Sequence, residues 1–209
     1  MTQGYLLLDF ASLNEKQRAS FYDFCRSASK ESLPAAKNMW ADNWSNSPET
    51  LPFILTNTSR FTAKGAFHIL FYNDDVVLCG GVYISDFSKK IAIAGTRTWV
   101  NKDYRHLSLV RDYLLPVHKS WAISKGCKQV AICFNEYNKS LKRIFFRSRL
   151  GESNNRLFFR TEDHMFFSNI NEVPFTVNIQ DIPQWVLYEK LDINWDFDWL
   201  SIKTDVHSS

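Results

Sequence analysis

The sequence has no apolar run approaching the roughly 18 to 20 residues of a membrane-spanning helix, and its N-terminus has neither the basic region nor the apolar stretch of a secretion signal. Both absences predict a cytoplasmic protein with no membrane partner. Cysteine is scarce: the chain has four, and Cys25, Cys79, Cys127 and Cys133 fall at irregular spacing in apolar surroundings with no CxxC pair. That pattern argues against a disulfide framework and a zinc site, and it predicts buried thiols. Charge of one sign is also in short supply, since a net charge of +3 is too small to imply a polyanionic partner by itself. Internal repeats and low-complexity stretches are missing too, which removes solenoids and linkers.

What the chain has in quantity is apolar surface. A hydrophobic content of 45% with 17 Phe, 8 Tyr and 7 Trp supplies a large core and excludes a disordered or fibrous protein. Its 209 residues fit one domain of about 150 residues with extensions. We read 1–170 as that domain and 171–209 as a C-terminal extension packing on the domain or on a partner subunit, because Trp185, Trp195 and Trp199 in a row would be a liability if exposed. Lys139, Lys142, Arg143, Arg147, Arg149, Arg156 and Arg160 form a basic run broken only by the acid Glu152, whereas acids predominate between Asp181 and Ser209. The two regions can pair within one chain or across a homodimer.

Periodicity sets the order of elements. Gly4 to Phe10 suits a first strand, and Ser12-Leu13-Asn14-Glu15 has the form of a capping box opening a helix to about Ser29, with Leu13, Phe21 and Phe24 on one side. Residues 30–58, with Pro34, Pro48 and Pro52 around Trp40 and Trp44, read as irregular structure. Ala66–Tyr72 and Val76–Ile84 flank the turn Asn73-Asp74-Asp75 as a hairpin, with Gly80-Gly81 permitting a bulge or a close backbone approach. Ile91–Val100 makes the next strand. Val110, Leu114, Val117 and Trp121 then step at helical spacing, with Pro116 predicting a bend and Lys125-Gly126 the end. Val130–Phe134 is a strand, Asn138 caps a second helix with Leu141, Ile144 and Phe145 inward, and Leu157–Phe159, Met165–Phe167, Phe175–Ile179 and Trp185–Tyr188 are further strands. The expected core includes Leu114, Val117, Trp121, Val130, Ile132, Leu141 and Ile144. This is an α/β layout: a mixed, mostly antiparallel sheet flanked by helices.

The segment Val100-Asn101-Lys102-Asp103-Tyr104-Arg105, followed by a loop, the helix to Gly126, the strand from Cys127 to Phe134 and the helix capped by Asn138, resembles the GNAT acetyltransferase superfamily. In that family a strand ending in Val-x-Pro-x-Tyr-Arg leads into a pyrophosphate loop, a long helix, a strand and an Asn-capped helix. The match runs without a gap through about 50 residues, and the flanking strand order agrees over roughly 13–167.

The resemblance implies an acyl-CoA-dependent N-acyltransferase with acetyl-CoA as co-substrate and a small-molecule or peptide amine as acceptor. It places the cofactor between the strands Ile91–Val100 and Val130–Phe134, with main-chain N–H groups near Trp99 and Val100 polarising the thioester carbonyl. The pyrophosphate falls on Arg105, His106, Leu107, Ser108, Leu109 and Val110, where N–H groups at a helix start and the helix dipole converge on an anion. This loop keeps the family's Arg but has Ser108 and Val110 where the family has glycine or alanine; Ser108 can cap the helix instead. Asn138 matches the asparagine beside the pantetheine arm. Phe145 stands where many members have the tyrosine that protonates the leaving thiolate, and Ile91–Val100 holds no acid to serve as general base, so no catalytic side chain is assigned.

The histidines show no ligand spacing, so no metal is expected; His68 lies in a strand, His106 in the loop, and His118 on the exposed side of the helix. Two alternatives stand beside acyl transfer: a noncatalytic module of the same fold holding nucleic acid or another anion through the basic run, and an enzyme of the fold with another donor such as a charged tRNA. The feature that decides is whether the strands Ile91–Val100 and Val130–Phe134 part beside Arg105.

Overall fold

The structure is a computed structural model that describes residues 4–31, 65–84, 89–106, 108–135, 156–161 and 184–192. Its described elements are β1 (Tyr5–Asp9), a short 3-10 turn (Phe10–Ser12), α1 (Glu15–Glu31), β2 (Gly65–Tyr72), β3 (Asp75–Ile84), β4 (Ile91–Val100), a second 3-10 turn (Lys102–Tyr104), a π-helical turn (Val110–Leu114), α2 (Leu115–Ser124), β5 (Gln129–Asn135), β6 (Arg156–Thr161) and β7 (Gln184–Lys190). The expected strands at Met165 and Phe175, the irregular segment around Trp40, and the helix carrying Asn138, Leu141, Ile144 and Phe145 lie outside the described residues.

The strands form one seven-stranded sheet in the order β1-β2-β3-β4-β5-β7-β6. Every neighbouring pair is antiparallel except β4 and β5. A parallel pair needs a crossover, and the segment carrying α2 supplies it. β7, from the stretch read as a C-terminal extension, lies within the sheet between β5 and β6.

Alternation along the strands divides the core into two faces. Phe67, Ile69 and Phe71 of β2, Ile91 and Ile93 of β4 and Ala131 of β5 pack with Phe21, Phe24 and Cys25 of α1. The intervening residues face α2: Ala92, Ala94 and Val130 gather around Ala122, and Leu70 and Leu78 around Leu114. Each large apolar side chain removed from water in this way contributes roughly 1.5 to 3 kcal/mol. Leu13, Phe21 and Phe24 are all buried, as expected, and Cys25, Cys79 and Cys127 are buried thiols outside any disulfide.

Local signals hold with two changes. The β2–β3 hairpin turns through Asn73 and Asp74 at φ 51° and 74°, left-handed geometry that Asn and Asp tolerate in a two-residue loop. Gly126, at φ 74°, follows the end of α2. The capping box, however, is shifted: Asn14 Oδ1 accepts the Gln17 N–H at 2.9 Å and Gln17 Oε1 accepts the Asn14 N–H at 3.0 Å. Ser12 instead closes the preceding turn, its hydroxyl donating to the Asp9 carbonyl at 2.7 Å.

The second change concerns Pro116. It lies inside a helical run that continues without a break from the π turn Val110–Leu114 into α2, and a π turn is one way a helix accommodates a residue that breaks its ladder. The π turn precedes it, with the Leu115 N–H donating to the Val110 carbonyl. No helix among the described residues is long and apolar enough to cross a membrane.

Candidate acyl-donor site

β4 is irregular where it matters. Its partner stretch Leu78–Val82 of β3 faces the longer stretch Ala94–Val100, with register shifts on both sides of Gly81. The extra residues form bulges, which bend a strand and release its edge groups from the ladder. Gly95 adopts φ 70° at the first of them, a conformation that side chains with a Cβ disfavour.

The same point ends the pairing of β4 with β5. The parallel register runs Ile91–Gln129, Ala92–Val130, Ile93–Ala131 and Ala94–Ile132 and stops there, although β4 continues to Val100 and β5 to Asn135. Beyond Ala94 and Ile132 the two strands part, leaving a wedge edged by the end of β4.

A buried backbone polar group needs a partner, and both groups of Gly95 find one in a side chain. Its N–H donates to His118 Nδ1 at 3.2 Å and its carbonyl accepts the Thr98 hydroxyl at 2.8 Å. His118 is thus not on the exposed side of the helix as the sequence spacing suggested; it is fully buried, as is Leu114 one turn before it. Gly80 on β3 lets Leu114 and Thr98 approach its backbone, since a Cβ there would meet each at 2.7 Å. His68, the register partner of Gly80, brings its ring to 5.3 Å from that of His118.

Burial pushes the His118 pKa down to about 3, the neighbouring His68 adds to the depression, and the Gly80 main chain opposes it. A neutral ring whose Nδ1 accepts a hydrogen bond carries its proton on Nε2. His68 is also shifted down by burial, with Asp9 opposing. Neither ring lies among enough ligands for a metal: no group of three or more His, Cys, Asp or Glu is gathered among the described residues.

The loop after β4 is tied back to the strand. Asn101 donates its N–H to the Val77 carbonyl at 2.9 Å, and its side chain accepts the Asp103 N–H at 3.2 Å. Arg105 Nε donates to the Val100 carbonyl at 3.0 Å while its guanidinium lies 5.2 Å from the centre of the Trp99 ring, a cation–π contact. Arg105, Trp99 and Val100 therefore meet at the mouth of the wedge. His106 and Ser108 are exposed and Leu109 is buried; Leu107 and Asn138 lie outside the described residues.

Ser108 stands directly before the helical run that begins at Leu109, and its carbonyl accepts the Asp112 N–H at 2.9 Å, as an N-cap carbonyl does. Val110, at a glycine position of the resembled pattern, turns its side chain against the Leu70, Leu78 and Leu114 cluster. The branched group is directed to the core. Sequence reasoning missed Gly95 and Thr98; a lone glycine inside a strand pattern is a known bulge signal and would have found the first.

Two acids of the C-terminal region meet lysines of the crossover segment. Lys119 Nζ on α2 pairs with Glu189 of β7 at 2.7 Å, and Lys128 Nζ with Asp192 at 2.8 Å.

No protein-family model matches the chain, and no curated protein matches it. Solved structures do. An acetyltransferase of the GNAT family from Staphylococcus aureus is 15% identical at a TM-score of 0.52, covering 90% of this chain and 100% of its own. An acetyltransferase from Streptococcus agalactiae is 17% identical at 0.51, covering 88% and 98%. A spermidine N-acetyltransferase chimera from Vibrio cholerae and hSSAT is 9% identical at 0.56, covering 90% and 96%. With a seven-stranded mixed sheet, one parallel pair that parts midway, and likeness spanning nearly the whole of each neighbour, the fold of this chain is the GNAT acetyltransferase fold.

Proposed function

We propose that this chain is an acyl-CoA-dependent N-acyltransferase. The observation that carries the reading is the parting of β4 and β5 after Ala94 and Ile132, directly beside the loop that leaves β4 at Arg105. Acetyl-CoA enters that wedge with its thioester against the end of β4, where main-chain N–H groups at Trp99 and Val100 polarise the carbonyl. The pyrophosphate lies on the N–H groups of Leu107 to Val110 at the start of the helical segment. Arg105 braces this loop against Trp99 and Val100, and Asn138 binds the pantetheine arm.

The reaction is direct transfer. The amine nitrogen attacks the thioester carbon, the C–N bond forms, the C–S bond breaks, and the thiolate takes its proton from water. β4 offers no carboxylate, so water also accepts the proton of the attacking amine. The acceptor is a small-molecule or peptide amine, the class to which spermidine belongs.

Calorimetric titration with acetyl-CoA and with desulfo-CoA tests this reading, since the analogue keeps the phosphates and the pantetheine arm. We expect saturable binding of both and a raised melting temperature. Absence of binding to either at millimolar concentration rejects the enzyme and leaves the fold alone.

A further inference from the structure

The wedge poses a local problem that an ordinary sheet avoids. Gly95 stands at the first position after the β4–β5 pairing ends, and its left-handed φ turns its main-chain groups out of the ladders on either side. An N–H left there without an acceptor must draw in water or pull the strand into another conformation.

The acceptor comes from helix α2. Nδ1 of His118 receives the Gly95 N–H at 3.2 Å, while Thr98 takes the carbonyl. His118 is completely buried. His68 lies against the ring from β2. One glycine is therefore held in a left-handed conformation, and an imidazole joins the helix to the bulge.

We propose that His118 is a positioning residue that holds the Gly95 bulge, and with it the mouth between β4 and β5, in the open form that the acyl donor enters. The acyl-donor part of this inference rests on the function proposed above. The hold on the bulge does not. Burial keeps the ring neutral, so Nδ1 stays an acceptor across the pH range in which the protein is handled. A protonated ring would present a donor to a donor.

Two substitutions separate the acceptor from the bulk of the ring. His118→Leu fills much of the space and removes the acceptor; His118→Asn places an amide oxygen close to the position of Nδ1. Two measurements on the full chain follow: amide hydrogen exchange at Gly95 relative to Ile93 and Ala94 by NMR, and affinity for desulfo-CoA by calorimetry well below the melting temperature. In the Leu variant we expect Gly95 to exchange at least tenfold faster than in the wild type and desulfo-CoA affinity to fall at least tenfold. In the Asn variant both should return to within about threefold of the wild type, a rescue that loss of packing alone would not produce.

Unchanged Gly95 exchange in the Leu variant overturns the proposal, as does equal loss in the Leu and Asn variants. Wild-type affinity in the Leu variant removes the link between the bulge and the donor. Should the wild type itself bind no desulfo-CoA, the acyltransferase reading fails, and the Gly95 exchange still decides whether His118 holds the bulge.

Discussion

Gly80 and Leu114 approach so closely that a Cβ on Gly80 would stand 2.7 Å from Leu114 Cδ2. The same Cβ would stand 2.7 Å from Thr98 Oγ1, whose hydroxyl is committed to the Gly95 carbonyl. Leu114 is fully buried and has little freedom to retreat. Gly80→Ala should cost about 1 to 3 kcal/mol through overpacking, read as a lowered urea midpoint. An unchanged midpoint would mean that α2 can slide away from β3.

Leu114 and Trp121 should rank opposite to their size. Leu114 is buried in the cluster with Leu70 and Leu78, whereas Trp121 is only half-buried, at the margin of the cluster around Ala122. Leu114→Ala leaves a cavity and should cost about 2 to 5 kcal/mol. Trp121→Ala should cost less, about 2 kcal/mol, because part of the side chain is already in water and less burial is lost. Denaturant unfolding of both variants checks the order.

The start of α1 rests on Asn14 and Gln17. Asn14→Ala removes the cap on the Gln17 N–H and should lower stability by about 1 kcal/mol. Ser12→Ala loses only a hydroxyl on the Asp9 carbonyl in an exposed turn and should cost less. Equal losses in thermal melts would move the cap back to Ser12.

Acid should weaken the fold through His118. The native chain holds this ring neutral, with its pKa at about 3 against 6.5 for a free imidazole, so between those values the unfolded chain binds a proton that the native one refuses. Stability is therefore fully present above about pH 6.5 and is lost as pH falls towards 3, with a slope of up to about 1.4 kcal/mol per pH unit. His68, shifted the same way, adds to the loss. Urea midpoints at pH 7, 6, 5 and 4.5 should converge between the wild type and His118→Asn as the pH falls. Parallel curves would show that the imidazole is charged in the native state.

Ser108 and Val110 should respond differently to glycine. Ser108 is exposed, so Ser108→Gly should cost at most about 1 kcal/mol and should keep or tighten acetyl-CoA binding by letting backbone approach the phosphates. Val110 packs on the core, so Val110→Gly loses burial as well and should cost about 2 to 3 kcal/mol. Calorimetry and melting curves on each variant separate affinity from stability.

Much of this fold was legible because its signals are local. Asn73-Asp74 between two alternating runs specifies a hairpin, and the change of period after Arg105 specifies a strand leading to a helix. The position of His118 was not legible. The spacing Leu114, Val117, Trp121 describes one helix face, but the face that is buried runs Leu114, His118, Ala122. The wide turn at Val110–Leu114 shifts the phase of the helix that follows, and the partner of the imidazole, the Gly95 N–H, belongs to another element. Similarly, the donor loop could be located from Arg105 and Tyr104, while the bulge that opens the wedge depends on how β3 and β4 pair.

The place of β7 has a consequence for how the chain is made. Among the described strands, β6 joins the sheet through β7, which lies between it and β5. During synthesis the outward edge of β5 therefore emerges long before its partner, while β6 emerges before the strand that joins it to the sheet. Until residues 184–190 leave the ribosome, β5 lacks the strand that pairs with its outer edge in the described sheet. Such an edge is a template for any other extended segment, including the same strand of a neighbouring copy. Nascent chains stalled before Gln184 should thus exchange strands or engage chaperones, and release of the final segment closes that route.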